Sequence, residues 1–94
     1  MLESPIEKKL RLAVEAKGGK CWKFVSPGTS GVPDRVCLLP GAKIIWVETK
    51  ANGKKARPLQ DKRHRQLRAL GFQVQVIDSV EQIKEVVPNE VHPS

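Results

Sequence analysis

Two short apolar runs enclose a helical segment, and this arrangement constrains the fold more than any other feature. Residues 43–50 and 72–77 are rich in β-branched side chains, which predicts strands. Between them, Pro58 begins a stretch with apolar residues at helical spacing, and Gly71 follows as a residue that commonly ends a helix. A helix between two strands is the connection that parallel neighbours require. The sequence therefore predicts a β-α-β crossover.

The rest of the chain predicts two helices and two more strands. Ser4-Pro5 followed by Glu7 is typical of a capped helix start, and Gly18-Gly19 ends the helical pattern. A tight turn at Pro40-Gly41 predicts a hairpin between the second and third strands. The expected architecture is an α/β fold, with a small mixed sheet flanked by helices. The predicted elements are a helix from Pro5, strands 20–25, 34–39 and 43–50, a helix 58–70, a strand 72–77 and a short helix from Ser79 through Val87.

The length of 94 residues predicts a single domain over residues 1–94, with a frayed tail at 88–94. No apolar run is long enough to cross a membrane, and the N-terminus does not resemble a signal peptide. Cys21 and Cys37 form no zinc pattern, and each lies in an apolar run that predicts a buried, reduced thiol. We expect a cytoplasmic protein of bacterial or phage origin that does not interact with membranes.

The positive charge is concentrated in one segment. The chain has a formal net charge of +7, and residues 50–70 carry eight Lys and Arg against Asp61 alone. The surplus of this segment thus equals that of the whole chain. A polyanion such as DNA is the natural partner of so dense a cationic patch. The alternative is an ordinary solvated helix face.

Two carboxylates and a lysine form the candidate catalytic group. Asp34 begins one strand of the predicted hairpin and Glu48 lies near the end of the other, so pairing can bring them together. Two converging carboxylates suit Mg²⁺ or Mn²⁺. Lys50 beside them fits a site where a water nucleophile is aligned and phosphate charge is neutralised. The alternative is a surface salt bridge, worth under about 1 kcal/mol.

These residues stand in motifs that resemble a known family. Gly31-Val32-Pro33-Asp34 and Val47-Glu48-Thr49-Lys50, followed by Gln60 at the start of the next helix, resemble the signature of the VRR-NUC nucleases. That family is a branch of the restriction-endonuclease-like, PD-(D/E)xK superfamily, whose core is α-β-β-β-α-β. The resemblance covers residues 4–80.

The resemblance implies roles for the motif residues. Asp34 and Glu48 would bind the divalent metal, the backbone carbonyl of Thr49 would be a further ligand, and Lys50 would position and activate the water. Gln60 would support the site, although a polar residue in the first helical turn needs no such role. Glu7 would be the auxiliary acid and a possible metal ligand.

The position of Glu7 also has a structural explanation, because an acid three residues after Ser4 completes a capping box. His64, one turn after Gln60, is not counted as a ligand. Trp22 and Trp46 are able to stack on bases, but in strands of so small a protein we expect them in the core.

The predicted function is metal-dependent hydrolysis of DNA phosphodiester bonds. Stand-alone members of the family resemble homodimeric enzymes that resolve four-way (Holliday) junctions, which implies a structure-selective endonuclease and a homodimer. Two alternatives remain open: a nuclease on flap or duplex DNA without junction preference, and a non-catalytic basic DNA-binding domain. The candidate DNA contacts are Lys23, Arg35, Lys54, Lys55, Arg57, Lys62, Arg63, Arg65 and Arg68.

Overall fold

The order of helices and strands agrees with the predicted one in the computed structural model, which describes residues 3–88. The last helix is a 3₁₀ helix, and most of the predicted tail, residues 89–94, lies outside the described residues. The elements are α1 (Pro5–Ala16), β1 (Lys20–Lys23), β2 (Arg35–Leu39), β3 (Lys43–Thr49), α2 (Pro58–Ala69), β4 (Gln73–Ile77) and the 3₁₀ helix (Val80–Glu85).

The capping box predicted at the start of α1 is present. The Ser4 hydroxyl accepts the Glu7 N–H at 3.2 Å, and the Glu7 carboxylate accepts the Ser4 N–H at 2.9 Å. Two backbone donors that the helix leaves unpaired are thereby satisfied. This cap fixes the beginning of α1 and turns its buried face, with Leu10 and Val14, toward the sheet.

The sheet has four strands in the order β1-β2-β3-β4. β1 pairs with β2 and β2 with β3 in antiparallel directions, whereas β3 and β4 are parallel. The predicted hairpin and crossover are both confirmed, with α2 as the crossover. The hairpin turn contains Gly41 and Ala42, both with positive φ, at 84° and 60°.

The hydrophobic core lies between one face of the sheet and α1 with the C-terminal segment. Cys21 and Cys37 are both buried there as free thiols, with their Sγ atoms 3.6 Å apart, as the sequence predicted. The core side chains are Leu10, Val14, Cys21, Cys37, Ile45, Val47, Ile77, Ile83, Val86 and Val87.

The opposite face of the sheet is only partly covered. α2 packs against β4, and Trp46 on β3 is half-buried in an edge-to-face contact with Phe24, at 4.9 Å between ring centroids. Trp22 on β1 is 56% exposed, so the core position predicted for it is wrong. The reason is that β1 forms the edge farthest from β4, where α2 packs.

No helix among residues 3–88 is long and apolar enough to span a membrane.

Candidate active site

The β2–β3 hairpin brings Asp34 and Glu48 together at one end of the sheet. Its register pairs Arg35 with Val47, so continuing by one residue sets Asp34 across from Glu48. The Asp34 carboxylate is held on both oxygens: Oδ1 accepts the Thr49 N–H at 3.1 Å and Oδ2 accepts the Thr49 hydroxyl at 2.9 Å. The convergence predicted for the two carboxylates therefore occurs, and Thr49 fixes the orientation of one of them.

Glu48 contacts Lys50 and Gln60, two residues that were predicted to belong to the same site. It is 5% exposed, and its Oε2 lies 3.4 Å from the Lys50 Nζ and accepts a hydrogen bond from the Gln60 Nε2 at 3.2 Å. The Gln60 Oε1 in turn accepts the Arg57 N–H at 2.8 Å, at the start of α2. One amide side chain thus ties the crossover helix to the carboxylate at the end of β3.

The surroundings of Asp34 and Glu48 disfavour the negative charges of their carboxylates. Burial raises the pKa of Asp34, and burial together with the Asp34 charge raises the pKa of Glu48. Lys50 opposes this shift only in part. The Glu48 Oε1 is buried without any hydrogen-bond partner. A carboxylate pair with one unsatisfied buried oxygen fits a hard divalent cation such as Mg²⁺ or Mn²⁺.

Glu7, near the start of α1, is engaged in the helix cap and in an ion pair. Its Oε1 serves the helix cap, and its Oε2 lies 3.2 Å from the Arg35 guanidinium. Burial acts to raise the pKa of Glu7, but hydrogen bonds from Ser4 and Arg35 outweigh it, so the net shift is downward. Over residues 3–88 there is no group of three or more His, Cys, Asp or Glu side chains arranged to hold a metal. These contacts explain Glu7 as a helix cap and an ion-pair partner. Glu7 also lines the cleft that Asp34 lines, and its role as auxiliary acid and possible metal ligand stays a prediction.

The burial of Arg35 does not support its predicted role as a DNA contact. Arg35 is 6% exposed and forms ion pairs with Glu3 and Glu7, at 3.4 Å and 3.2 Å. The alternation of side chains along β2 turns Arg35 toward α1, on the same face as buried Cys37. Arg35 therefore holds α1 against the sheet and is not available to DNA phosphates.

A cleft of about 730 Å³ opens beside the carboxylate pair. It lies between the start of α1, the end of β1 and the segment that follows β3, and Lys23, Asp34, Thr49 and Lys50 line it. Lys23 thus flanks the site, as the sequence predicted. The cleft gives Asp34 and Lys50 a common approach from solvent, and Glu48 lies beside it without being one of its lining residues.

The glycine-containing loop before Asp34 is docked on α2. Gly31 has φ of 86°, and a Cβ there would lie 2.9 Å from the Leu59 side chain, so only glycine fits. The Arg63 Nε donates to the Ser30 carbonyl at 2.8 Å. Sequence reasoning assigned Arg63 to phosphate and missed this anchoring contact, which a spacing of 33 residues does not reveal.

Most of the other predicted DNA contacts lie at the surface. Lys54, Lys55, Arg57, Lys62 and Arg65 are exposed. Arg68 is exposed as well but donates to the Val74 carbonyl at 2.8 Å. The basic surface, defined as these six residues, follows the segment after β3 and continues along α2.

His64 is the buried residue of α2. It is 1% exposed, and neither ring nitrogen has a hydrogen-bond partner. Burial lowers its pKa, and the positive charges of Arg68 and Lys50 lower it further, which favours the neutral ring. The shift therefore acts against a second positive charge close to Lys50.

Comparison with known proteins identifies several relatives. No family model matches the chain. It is 50% identical over 86 residues to a protein named "Putative nuclease p44" from Acyrthosiphon pisum secondary endosymbiont phage 1, covering 92% of this chain and 91% of that one. A solved structure described as "VRR_NUC domain" superposes with a TM-score of 0.84 at 31% identity, covering 95% of this chain and 97% of that one. Another, "VRR_NUC domain protein", has a TM-score of 0.65 at 16% identity, covering 93% and 85%, and is similar in fold.

Proposed function

Because this chain belongs to the VRR-NUC family of nuclease domains, we propose that it is a metal-dependent endonuclease that hydrolyses phosphodiester bonds in DNA. One observation carries the proposal. Asp34, Glu48 and Lys50 converge beside an open cleft, and the pair of carboxylates keeps one buried oxygen without a partner. A structural salt bridge gives no reason for a buried carboxylate oxygen without a partner, whereas a bound cation would satisfy it.

Asp34 and Glu48 are the residues that would hold Mg²⁺ or Mn²⁺, together with the backbone carbonyl of Thr49. The ion, when bound, supplies Lewis-acid polarisation of a phosphoryl oxygen and lowers the pKa of water. The raised pKa values of both carboxyl groups support this assignment, because a divalent charge favours their ionised forms.

The chain's own residues orient the reaction. In the proposal, Lys50 donates a hydrogen bond to the attacking water and offsets the negative charge that develops on the phosphoryl oxygens. Gln60 holds Glu48 through a hydrogen bond, and Thr49 holds Asp34 through two. Both carboxylates are therefore oriented before substrate arrives, which reduces the reorganisation needed in the transition state.

The basic surface supplies the binding energy for the DNA backbone. Its exposed lysines and arginines lie on the segment after β3 and on α2, which also provides Gln60 to the site. Such contacts fix the position of a duplex without reading its sequence. This arrangement supports selection of DNA by structure and not by base sequence.

A four-way junction is the substrate that we propose, and a homodimer is the proposed assembly. One chain offers one carboxylate pair, whereas cutting two strands symmetrically requires two sites related by a twofold axis. The relative from a phage supports a role in the cytoplasm of a phage-infected bacterium.

Cleavage assays on a panel of labelled DNAs test the proposal. Four-way junction, flap and blunt duplex are incubated with protein in Mg²⁺, Mn²⁺ or EDTA. Lys50→Ala is compared with Lys43→Ala, which removes an exposed lysine from the opposite end of the same strand. We expect paired metal-dependent nicks in the junction, absent with Lys50→Ala and retained with Lys43→Ala.

The other outcomes separate the alternatives. Equal cutting of every DNA would retain the nuclease and remove the junction preference. Binding without cleavage under each metal would leave a basic DNA-binding domain. Cleavage that persists in EDTA would contradict the role proposed for the two carboxylates.

A further inference from the structure

Trp22 is a large aromatic side chain that the fold leaves at the surface. It is 56% exposed on β1, on the sheet face that α2 covers only at the β4 side. The register aligns Trp22 with Val36 on β2, and Val36 with Trp46 on β3. The exposed Trp22 side chain therefore lies at the uncovered β1 end of a row of apolar residues, Trp22, Val36 and Trp46, that crosses the sheet.

The next row on the same face contains the catalytic carboxylates. The Phe24 N–H donates to the Asp34 carbonyl at 2.8 Å, which extends the β1–β2 pairing by one residue, and Asp34 lies across from Glu48. Trp22 thus lies two strands across the sheet from Glu48, and two residues away from it along the strand direction. With about 4.8 Å between strands and about 3.3 Å per residue, the Cα separation is about 12 Å. That distance spans roughly three to four stacked nucleotides of one DNA strand.

The charges around Trp22 favour a polyanion over a second protein surface. Lys20, two residues before Trp22 on the same face of β1, is exposed, and its neighbours across the sheet are Leu38 and Ile44. Lys23 and Lys43, the other exposed charged residues of β1, β2 and β3, lie on the opposite face. Two copies of the chain meeting through the Trp22 face would bring their Lys20 side chains into one interface, whereas DNA phosphates would neutralise them.

We propose that Trp22 is a stacking platform for an unpaired or unstacked base of the DNA substrate, a few nucleotides from the cleaved bond. The identity of the ligand as DNA rests on the proposed function. An exposed indole offers a flat aromatic face, and Lys20 on the same face of β1 would retain an adjacent phosphate. Base–aromatic stacking tolerates any sequence because every base has a π-face.

This platform would contribute to recognition of DNA structure. In a continuous duplex both faces of each internal base are covered by neighbours, so Trp22 has nothing to stack on. Flaps and branch points present bases that lack a partner or a neighbour. Trp22 would therefore favour branched or tailed DNA near the site, whereas the basic surface binds all DNA alike.

Binding measured in EDTA tests the proposal without any cleavage. Wild type, Trp22→Ala, Trp22→Phe and Leu70→Ala are titrated into a labelled blunt duplex and into the same duplex with a single-stranded tail. Leu70→Ala is the control because Leu70 is a 75% exposed apolar residue at the end of α2. We expect Trp22→Ala to weaken binding of the tailed DNA about tenfold, which is about 1.4 kcal/mol, and to change duplex binding by less than about twofold. Trp22→Phe should restore most of the loss, and Leu70→Ala should show none.

Tryptophan fluorescence gives an independent readout. The chain contains two tryptophans and no tyrosine. Stacking of a base on Trp22 should quench the emission when tailed DNA is added. The Trp22→Phe protein retains only the half-buried Trp46, so its emission should change little.

Three results would overturn the proposal. They are an equal loss of affinity for both DNAs, no loss for either, or conversion of a dimer to monomers by Trp22→Ala in sedimentation. The last would assign this face to a protein interface. A failure of the proposed function is distinguishable, because it would be an absence of cleavage by wild type in Mg²⁺ while the binding difference in EDTA persists.

Discussion

At the scale of single residues, the proposed active site carries a cost in stability. Glu48 is buried beside Asp34, and one of its oxygens has no partner. Burial and the neighbouring charge raise its pKa, so the folded state disfavours the ionised form. Conflicts of this kind are common at functional sites, where stability is given up for reactivity.

Glu48→Gln should therefore raise the melting temperature of the metal-free protein at neutral pH while it removes cleavage. A folded pKa above the unfolded value contributes stability at low pH, and this contribution disappears as pH rises through the folded pKa. The advantage of the variant should accordingly grow from pH 5 to pH 8. Thermal melts in EDTA at both pH values measure it, and a variant less stable than wild type at pH 8 would contradict the stated origin of the shift.

The site residues differ in how well the sequence predicts them. Short motifs predict Asp34, Glu48, Lys50 and Gln60. These motifs lie on a hairpin and at a helix start, and both elements have local sequence signals. The burial of Arg35 does not follow, because it depends on ion pairs with Glu7 in α1 and Glu3 just before α1, 28 and 32 residues away. Long-range pairs of this kind carry no periodic signal in the sequence.

At the scale of elements, the loop before β2 and the start of α2 act as one unit. Arg63 donates to the Ser30 carbonyl, and Gly31 allows Leu59 to approach. This contact holds the loop that leads into Asp34. Arg63 is thus a positioning residue in addition to a positive charge.

Arg63→Ala should slow cleavage more than Arg65→Ala, although each removes one charge from the same helix. Arg65 is exposed and has no role in the loop, so its loss should weaken binding alone. We expect Arg63→Ala also to reduce the single-turnover rate at saturating protein, by about tenfold. Equal single-turnover rates for the two variants would show that the anchor does not position Asp34.

The β2–β3 turn contains a strained residue. Ala42 has φ of 60°, in the left-handed region that costs a non-glycine residue about 1 kcal/mol or more. Ala42→Gly should therefore raise the free energy of unfolding by about 0.5 kcal/mol. Ala16→Gly, in the last turn of α1, should lower it. Urea denaturation measures both, and a loss of stability with Ala42→Gly would contradict the strain.

Elements and topology are largely predictable here because each has a local signal. The capping box, the turn glycines and the β-branched runs predict every helix and strand, and the crossover sets the parallel pair. The exposure of Trp22 is not predictable, because it depends on which strands α2 covers. The 3₁₀ form of the last helix likewise depends on the packing of Ile83, Val86 and Val87 into the core.

At the scale of the whole molecule, the charge asymmetry is the basis of the proposed DNA binding. The surplus on residues 50–70 matches the net charge of +7, and the residues that carry it lie mostly at the surface. Binding should therefore weaken steeply with salt, since each neutralised phosphate releases condensed counterions.

Lys62→Ala should reduce the slope of log K against log salt concentration by about one, uniformly across DNA sequences. Lys84→Ala, in the 3₁₀ helix outside the basic surface, should leave the slope unchanged. Fluorescence anisotropy at several salt concentrations measures both slopes. A larger effect of Lys84→Ala than of Lys62→Ala would place the DNA on another face.

The most direct test of the account is single-turnover cleavage by Glu48→Gln in Mg²⁺, compared with wild type and Asp78→Asn. Asp78 lies just after β4, outside the carboxylate pair, so its variant controls for the loss of one negative charge. We predict that Glu48→Gln cleaves at least about a hundredfold more slowly while it binds DNA as tightly as wild type, and that Asp78→Asn retains activity. Cleavage by Glu48→Gln at the rate of wild type would contradict the assignment of Asp34 and Glu48 as the catalytic centre.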